Sequence, residues 1–514
     1  MKSVAFHNLG CKVNSYEMEV MQQNFQKSGY AIVDFAQKAD IYVINTCTVT
    51  NIADRKSRQM IHRARQLSPD ALIIAVGCYV QTHAQEILED DSIDLAIGNN
   101  KKQDIVAIVE EFLSARTADD AQSSSKKTLG GSTIPDLRRG SDYEEMQLEQ
   151  TAEHTRVYIK IQDGCNQFCS YCAIPLARGR VRSRKKEAIL AEAQRMAEKG
   201  YREIVLTGIH ISSYGLDFSG LSYNTVYSEK IKNSAGTVYS DNSVYSDKAN
   251  DASGNMDFGN STLLLELIEA LSQIGGIDRI RLSSLEPRII TDAFAKRLSR
   301  IRKVCPHFHL SLQSGCDSVL KRMNRRYTCD DFRESVGYLR TYFDRPAITT
   351  DLIAGFPGET EDEFEETLRF VDQIGFYETH IFPYSRRKGT AADRMDGQLT
   401  EREKKERCAR LEELNREKSA SYRASFFGKT LPVLFERSRE IDGVTYVTGH
   451  TTNYIEVAVP MQELAKAARD FANSSAAEGK TQESGSLLTE KGLIVDCRLI
   501  KDMGDGLICG KMAE

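Results

Sequence analysis

The stretch RVYIKIQDGCNQFCSYC, Arg156 to Cys172, decides the reading of this chain. Its first half is a short apolar run of strand composition. Its second half brings three thiols, Cys165, Cys169 and Cys172, together at C-x3-C-x2-C spacing. A loop at the end of a barrel strand is where β/α folds place their chemistry. Structural zinc closes with four ligands, and catalytic zinc uses three but with histidine or carboxylate among them. Thiolates with no histidine nearby favour an iron–sulfur cluster. Three cysteines on a four-iron cluster leave one iron open, and an open iron binds a substrate or cofactor directly. The alternative is a chance group of packing thiols, which the spacing and the strand-end position weigh against.

Strand and helix patterns alternate around this loop from about 154 to 385. The strands are RVYIKIQ, YREIVLTGIHI, IDRIRLSSLEP, HFHLSLQSG, AITTDLIAGF and ETHIFPYS, with helices expected over 185–199, 263–274, 291–301, 330–343 and 361–374. Six such units imply a complete or partial β/α barrel over 151–385. Residues 216–261 interrupt it with a polar segment repetitive in V-Y-S, which reads as a disordered insertion.

Residues 1–115 alternate in the same way. SVAFHNLG, IYVINTCTV, ALIIAVGCY and IDLAIGN read as buried strands of a parallel α/β sheet, with helices over YEMEVMQQNFQKSG, ADRKSRQMIHRARQ and KKQDIVAIVEEFL. Cys11, Cys47 and Cys78 end, or nearly end, three successive strands. The carboxyl ends of parallel strands line one edge, so these thiols are expected to converge there as a second trio. A lone cysteine is more often a packing residue than a ligand. Cys305, Cys316, Cys329, Cys408, Cys497 and Cys509 share no such pattern and read as core or surface thiols.

Residues 116–150 have linker composition, and 386–427 carry a charged helical connector. From 428 to 514, KTLPVLFE, GVTYVTGHT, YIEVAVP and GLIVDCRLI imply a small all-β barrel with a polar insertion at 462–487. The chain has 514 residues, 41% hydrophobic and 27% charged, in keeping with several soluble domains. A net charge of −5 gives no global basic signature, so nucleic-acid binding has to come from local patches. Twelve cysteines without a signal segment read as reduced thiols of a cytoplasmic protein, and no apolar run approaches the roughly 20 residues of a membrane span.

Both trios, in this order, resemble the methylthiotransferase family of radical S-adenosylmethionine enzymes. The resemblance covers nearly the whole chain: cluster domain, radical barrel, then a TRAM-type RNA-binding barrel. AFHNLGCKVN, YVINTCTVTN, GCNQFCSYCAIP, ARGRVRSR, IVLTGIH, LQSG, LKRMNRRYT and GFPGET are most similar to the subgroup that modifies N6-threonylcarbamoyladenosine in tRNA. It implies an α/β protein with two [4Fe-4S] clusters. Cys165, Cys169 and Cys172 would hold the one that chelates S-adenosylmethionine and cleaves it to a 5′-deoxyadenosyl radical, which takes hydrogen from carbon 2 of the adenine. Cys11, Cys47 and Cys78 would hold the one that presents sulfur, and a second S-adenosylmethionine supplies the methyl group. tRNA, an electron donor such as flavodoxin or ferredoxin, and a sulfur source are the implied partners. The rivals are a methylthiotransferase acting on isopentenyl-adenosine in tRNA or on a ribosomal-protein aspartate, and a noncatalytic RNA-binding protein with structural zinc.

Other positions carry two readings. Thr207 and Gly208 end a strand where a backbone approaches the cofactor, or form a plain β-turn. Glu286 meets a ribose hydroxyl or is a surface carboxylate, and Gln313, Ser314 and Gly315 are similarly placed. Asp351 and the turn 355–360 shape the cofactor pocket or precede a helix. His210, His307 and His309 read as satisfied strand histidines. Arg178, Arg180, Arg182, Arg184, Lys185 and Lys186, then Arg322, Arg325 and Arg326, are two basic stretches suited to RNA phosphates or to a solvated face. Tyr446, His450 and Tyr454 are candidates for base stacking.

Overall fold

The computed structural model describes residues 1–118, 134–137, 140–151, 155–218, 261–463 and 492–512. The N-terminal apolar runs form β1 (Ser3–Asn8), β3 (Ile41–Thr46), β4 (Leu72–Gly77) and β5 (Leu95–Ile97), joined by a short edge strand β2 (Ala31–Val33). All pair in parallel in the order β2-β1-β3-β4-β5. β3 and β4 are buried along their whole length. Val43 and Ile74 face one apolar cluster while Tyr42 and Ile73 face another, as a sheet covered on both sides requires. Helices α1 (Lys12–Lys27), α2 (Asn51–Leu67) and α3 (Cys78–Thr82) begin directly beyond β1, β3 and β4.

Six parallel strands follow: β6 (Val157–Asp163), β8 (Glu203–Gly208), β9 (Arg279–Leu282), β10 (His307–His309), β11 (Ala347–Ala354) and β12 (Glu378–Pro383). Single bridges Ile280–Val304 and Leu285–Leu310 connect the β9 and β10 sides. The result is an open partial barrel, as expected from the alternation. The two-residue β7 (Arg182–Ser183) runs antiparallel on the outer side of β6. Several helices of this part of the chain and the connector start from threonine caps. Thr328, Thr360 and Thr400 each form a reciprocal capping box with the acid three residues on. One face of the strands, including Ile280, Phe308, Ile348 and Leu352, packs under the helices. Side-chain alternation turns the other face into the lumen.

The helix Glu401–Ala424 leads to a closed five-stranded barrel of β13 (Thr430–Ile441), β14 (Val444–Thr451), β15 (Glu456–Pro460), β16 (Ile494–Asp502) and β17 (Ile508–Met512), in the order β13-β14-β15-β17-β16. The last strand was not anticipated from sequence. The proposed insertions at 216–261 and 462–487 fall almost wholly outside the described residues.

Two expectations are corrected. The end of the supposed linker is packed structure: Met146 and Leu148 are fully buried, and the Met146 carbonyl accepts a 2.6 Å hydrogen bond from Tyr16. Two apolar anchors suffice to tie down a segment whose composition is otherwise polar. In the C-terminal barrel, Tyr454 stacks on His307 and His450, with ring centroids 4.7 and 4.5 Å apart, while Arg156 and Arg281 cover its face. Tyr454 and His450 therefore serve the contact between barrels and are not exposed stacking groups. Arg279 and Arg281 complete that contact by donating to the carbonyls of Pro432, His450 and Thr452.

Candidate cluster and substrate site

The first trio sits where parallel strands end. Cys11 precedes α1 after β1, Cys47 follows β3, and Cys78 opens α3 after β4. β1, β3 and β4 are adjacent, so the thiols share one edge. Gly10, at φ +116°, runs so close that a Cβ there would stand 3.2 Å from the Cys47 sulfur. Burial pushes the Cys47 thiol up to about 12, and the proximity of Cys78 and Cys11 adds to the rise. Asn99 Nδ2 donates to the Cys78 sulfur at 3.5 Å and to the Ala177 carbonyl at 2.8 Å, which links this edge to the barrel.

The second trio lies on the loop after β6. Gly164, at φ +70°, is mandatory, because a Cβ would lie 1.8 Å from the Arg180 carbonyl oxygen. The Cys165 amide donates to Gly179 at 3.0 Å, and Ser170 is held by the carbonyls of Met323 and Arg322. Burial, then Cys169, pushes the Cys172 thiol up to about 12, and Cys165 rises for the same reasons. Neutral thiols crowded in this way call for a positive centre if they are to ionise. Two donors point at the sulfurs: Arg325 Nη1 to Cys169 at 3.2 Å and the Gln167 amide to Cys165 at 3.5 Å.

Both donor sets fit an iron–sulfur cluster. Among the described residues, only His309, Asp351 and His380 bring three ligand atoms within 4.8 Å of one another. Neither cysteine trio is that tight, whereas one zinc bonded to three sulfurs at about 2.3 Å would need it. A wider spread suits a polynuclear centre.

The proposed cofactor contacts divide. Thr207 and Gly208 end β8, with the Gly208 Cβ position 3.0 Å from the Gln162 carbonyl oxygen. Glu286 is buried and accepts from Gln167 Nε2 at 3.1 Å and Arg288 Nε at 2.6 Å. Burial alone would raise its pKa, but His210, Arg288 and Arg325 outweigh it and hold the carboxyl at about 2. It is an ionised carboxylate beside the cluster loop. Gln313, at φ +74°, lies beyond β10 and pairs with β11 through its backbone. Gly315 is corrected: its Cβ position lies 2.8 Å from Phe370 Cβ, so it packs under the helix Glu361–Ile374 and not in the lumen. Asp351 faces the lumen, 3.3 Å from His309 Nε2 and in register with His380.

The arginine ladder after the loop is also corrected. Arg178, Arg182 and Arg184 are buried and cannot meet RNA phosphates. Arg178 donates to Glu17, Asp163 and Asn14, and Arg184 pairs with Glu192 and Glu145. Arg180 lies over the Phe168 ring at 4.4 Å. Arg325 serves the cluster loop, and Arg322 pairs with Glu363. Arg326 is half-buried.

Sequence reasoning missed Glu17, which meets Lys102, Lys160 at 2.7 Å and Arg178 at 2.8 Å. Burial opposes its ionisation, yet the three cations hold its carboxyl well below the usual range. It joins α1 to β6 and to the segment after the cluster loop. Glu17→Gln strands buried cations, and we expect a loss of about 3–5 kcal/mol. The measurement is the thermal unfolding midpoint, and a midpoint equal to the parent's refutes the role.

Two family models match, each containing one trio. One, described as Uncharacterized protein family UPF0004, matches residues 3–98, and the Radical SAM superfamily matches residues 159–371. The chain is 38% identical over 458 residues to threonylcarbamoyladenosine tRNA methylthiotransferase MtaB of Bacillus subtilis (strain 168), covering 89% of this chain and 90% of that protein. It is 32% identical over 441 residues to the tRNA-2-methylthio-N(6)-dimethylallyladenosine synthase of Symbiobacterium thermophilum, covering 84% and 83%. In fold it is similar to the radical S-adenosylmethionine methyltransferase TsrM of Kitasatospora setae, with TM-score 0.51, 14% identity, and 76% and 77% of the two chains covered.

Proposed function

Because this chain belongs to the radical S-adenosylmethionine methylthiotransferases of the MtaB type, we propose that it converts N6-threonylcarbamoyladenosine beside the anticodon of tRNA to its 2-methylthio derivative. The observation that carries the reading is the pair of three-thiol sets, one ending adjacent sheet strands and one on the first barrel loop, in a chain that aligns with MtaB over 89% of its length. Cys165, Cys169 and Cys172 hold one [4Fe-4S] cluster, and Cys11, Cys47 and Cys78 hold the other. When bound, these clusters and S-adenosylmethionine supply the electron, the hydrogen-abstracting species and the sulfur that no side chain provides.

The protein's own groups hold and shield this chemistry. Arg325 and the Gln167 amide donate to thiolate sulfurs and favour the charged, ligating form. Glu286 offers an ionised acceptor beside the loop, suited to a hydroxyl or ammonium of the cofactor. The C-terminal barrel covers the amino ends of the lumen strands through Arg279, Arg281 and Tyr454, which limits water there. A flavodoxin- or ferredoxin-type donor and a sulfide source complete the proposal.

The test is mass spectrometry of digested tRNA from a strain lacking the gene. We expect the methylthio-threonylcarbamoyl nucleoside to vanish and its unthiolated precursor to accumulate. An unchanged level, with the isopentenyl product or the ribosomal-protein modification missing instead, refutes it.

A further inference from the structure

We propose that the junction between α2 and the segment after β12 is the surface that receives the anticodon loop of the tRNA. The proposal rests on the reaction proposed above and names where its substrate docks.

Most of the two basic stretches expected to meet RNA is committed inside the fold. Arg178, Arg182 and Arg184 are buried, and Arg322 and Arg325 serve Glu363 and the cluster loop. Another basic surface lies at the first trio. Soon after Cys47 the chain enters α2, which buries Asp54, Ser57, Ile61 and Ala64. The opposite face carries Ile52, Arg55, Lys56 and Gln59, all exposed, at the i, i+3, i+4 and i+7 spacing of one helical stripe. The segment after β12 lies against the first turn of this helix. The Asn51 amide donates to Ser385 Oγ at 2.9 Å, and the buried Arg387 donates to Asn51 Oδ1 at 2.7 Å and to Thr48 Oγ1 and Asp54 Oδ2 at 2.6 Å. These bonds hold the junction in place without a ligand. Arg386 and Lys388, on either side of Arg387, are exposed beside it.

Three large apolar side chains stay in water here. Val49 is 55% exposed and Ile52 53%, both soon after Cys47, and Phe382, three residues before Ser385, is 44% exposed. A fixed surface that keeps apolar groups in water marks an interface. Its charge is positive. Among the described residues Arg55, Lys56 and Lys388 form no hydrogen bond or ion pair. Both acids of the junction are committed, Asp54 to Arg387 and Asp393 to Arg386 at 2.6 Å. Arg58, on the flank of α2, donates to the Tyr79 hydroxyl at 2.9 Å with Glu86 nearby, and Arg394 and Asp396, further along the segment, are exposed and opposite in sign. Three unpaired cations remain.

Phosphates suit those cations, and the unstacked bases of a loop suit the apolar groups, which together make a site for single-stranded RNA. An acidic electron-donor protein would also use the cations. In the proposed reaction, however, sulfur leaves from the Cys47 edge, and the adenine has to reach that edge. A surface that begins two residues beyond Cys47 is where the loop around that adenine arrives.

The test uses cluster-loaded, unreduced protein and an anticodon stem-loop bearing threonylcarbamoyladenosine, with binding measured across a salt series. Arg55→Gln/Lys56→Gln/Lys388→Gln is expected to bind about 10- to 100-fold more weakly, and the slope of log affinity against log salt to fall by about 2. Phe382→Ser is expected to bind about 10-fold more weakly with the parent's salt slope, the mark of lost stacking. Arg300→Gln/Arg302→Gln, another exposed basic pair before β10, is expected to bind as the parent does. In the parent, bound RNA protects the amides of residues 49–56 from hydrogen exchange. A triple variant with the parent's affinity and salt slope overturns the proposal, and if it accepts electrons poorly from flavodoxin the surface belongs to the donor. An equal loss in the Arg300 and Arg302 variant overturns it too, as does a parent whose residues 49–56 exchange alike with and without RNA. A parent that binds no anticodon stem-loop overturns the proposed reaction itself.

Discussion

Cys165→Ala abolishes cleavage of S-adenosylmethionine: on reduction the variant releases no 5′-deoxyadenosine above background, and its iron content falls to half that of the parent. The reason is local. Two thiols do not hold a four-iron cluster, and no other cysteine, histidine or carboxylate completes a tight ligand set with this trio among the described residues. The loop itself does not depend on that sulfur for its shape. Gly164 donates to Asp163 Oδ1 at 2.8 Å, the residue-165 amide still reaches the Gly179 carbonyl, and Ser170 stays tied to Arg322 and Met323. A thermal midpoint near the parent's should therefore accompany the loss of cleavage. Parent-level 5′-deoxyadenosine from Cys165→Ala would remove this trio from the reaction.

Why the cysteines were legible and the arginines were not has a physical cause. Each cysteine of the first trio follows an apolar run, and parallel strands bring their carboxyl ends to one edge whatever the intervening helices do. Strand periodicity thus carried three distant residues to one place. A charge run has no such rule. Arg178 and Arg184 looked like a phosphate-binding stretch because the acids that bury them, Glu17 and Glu192, are 161 residues upstream on α1 and in a later helix. The same distance hid Glu17: it lies on α1, and only the docking of α1 against β6 and β8 shows which face meets the barrel. Gly315 was misassigned because a glycine after a strand serves a cofactor or a packed helix equally well, and only the neighbouring Phe370 decides. His309, Asp351 and His380 are separated by whole β/α units, and their convergence depends on strand register that no local pattern reveals.

Cys47→Ala separates the two halves of the reaction. We expect the variant to keep forming 5′-deoxyadenosine from S-adenosylmethionine, to make no 2-methylthio nucleoside, and to carry half the parent's iron. The separation follows from where the supports of each trio lie. Cys47 is 6% exposed at the end of β3, and its amide faces Ser57 of α2, 3.3 Å away. The loop of Cys165, Cys169 and Cys172 takes its contacts from Gly179, Arg322, Met323 and Arg325, all within the barrel. The connections between them include Asn99, which holds Cys78 and the Ala177 carbonyl, and Arg178, which reaches Asn14, itself a donor to the Thr46 carbonyl; none of these atoms is removed when Cys47 is shortened. Removing one buried sulfur also leaves the sheet intact, because the flanking strands β1 and β4 pair with β3 through the backbone. Cys47→Ser, closer in size, should behave alike, which distinguishes loss of a ligand from loss of packing. Full product formation by either variant would show that sulfur does not pass through this edge of the N-terminal sheet. Loss of cleavage together with insertion would mean instead that the two centres fold as one unit, with α1 and its Glu17 ion pairs as the coupling element.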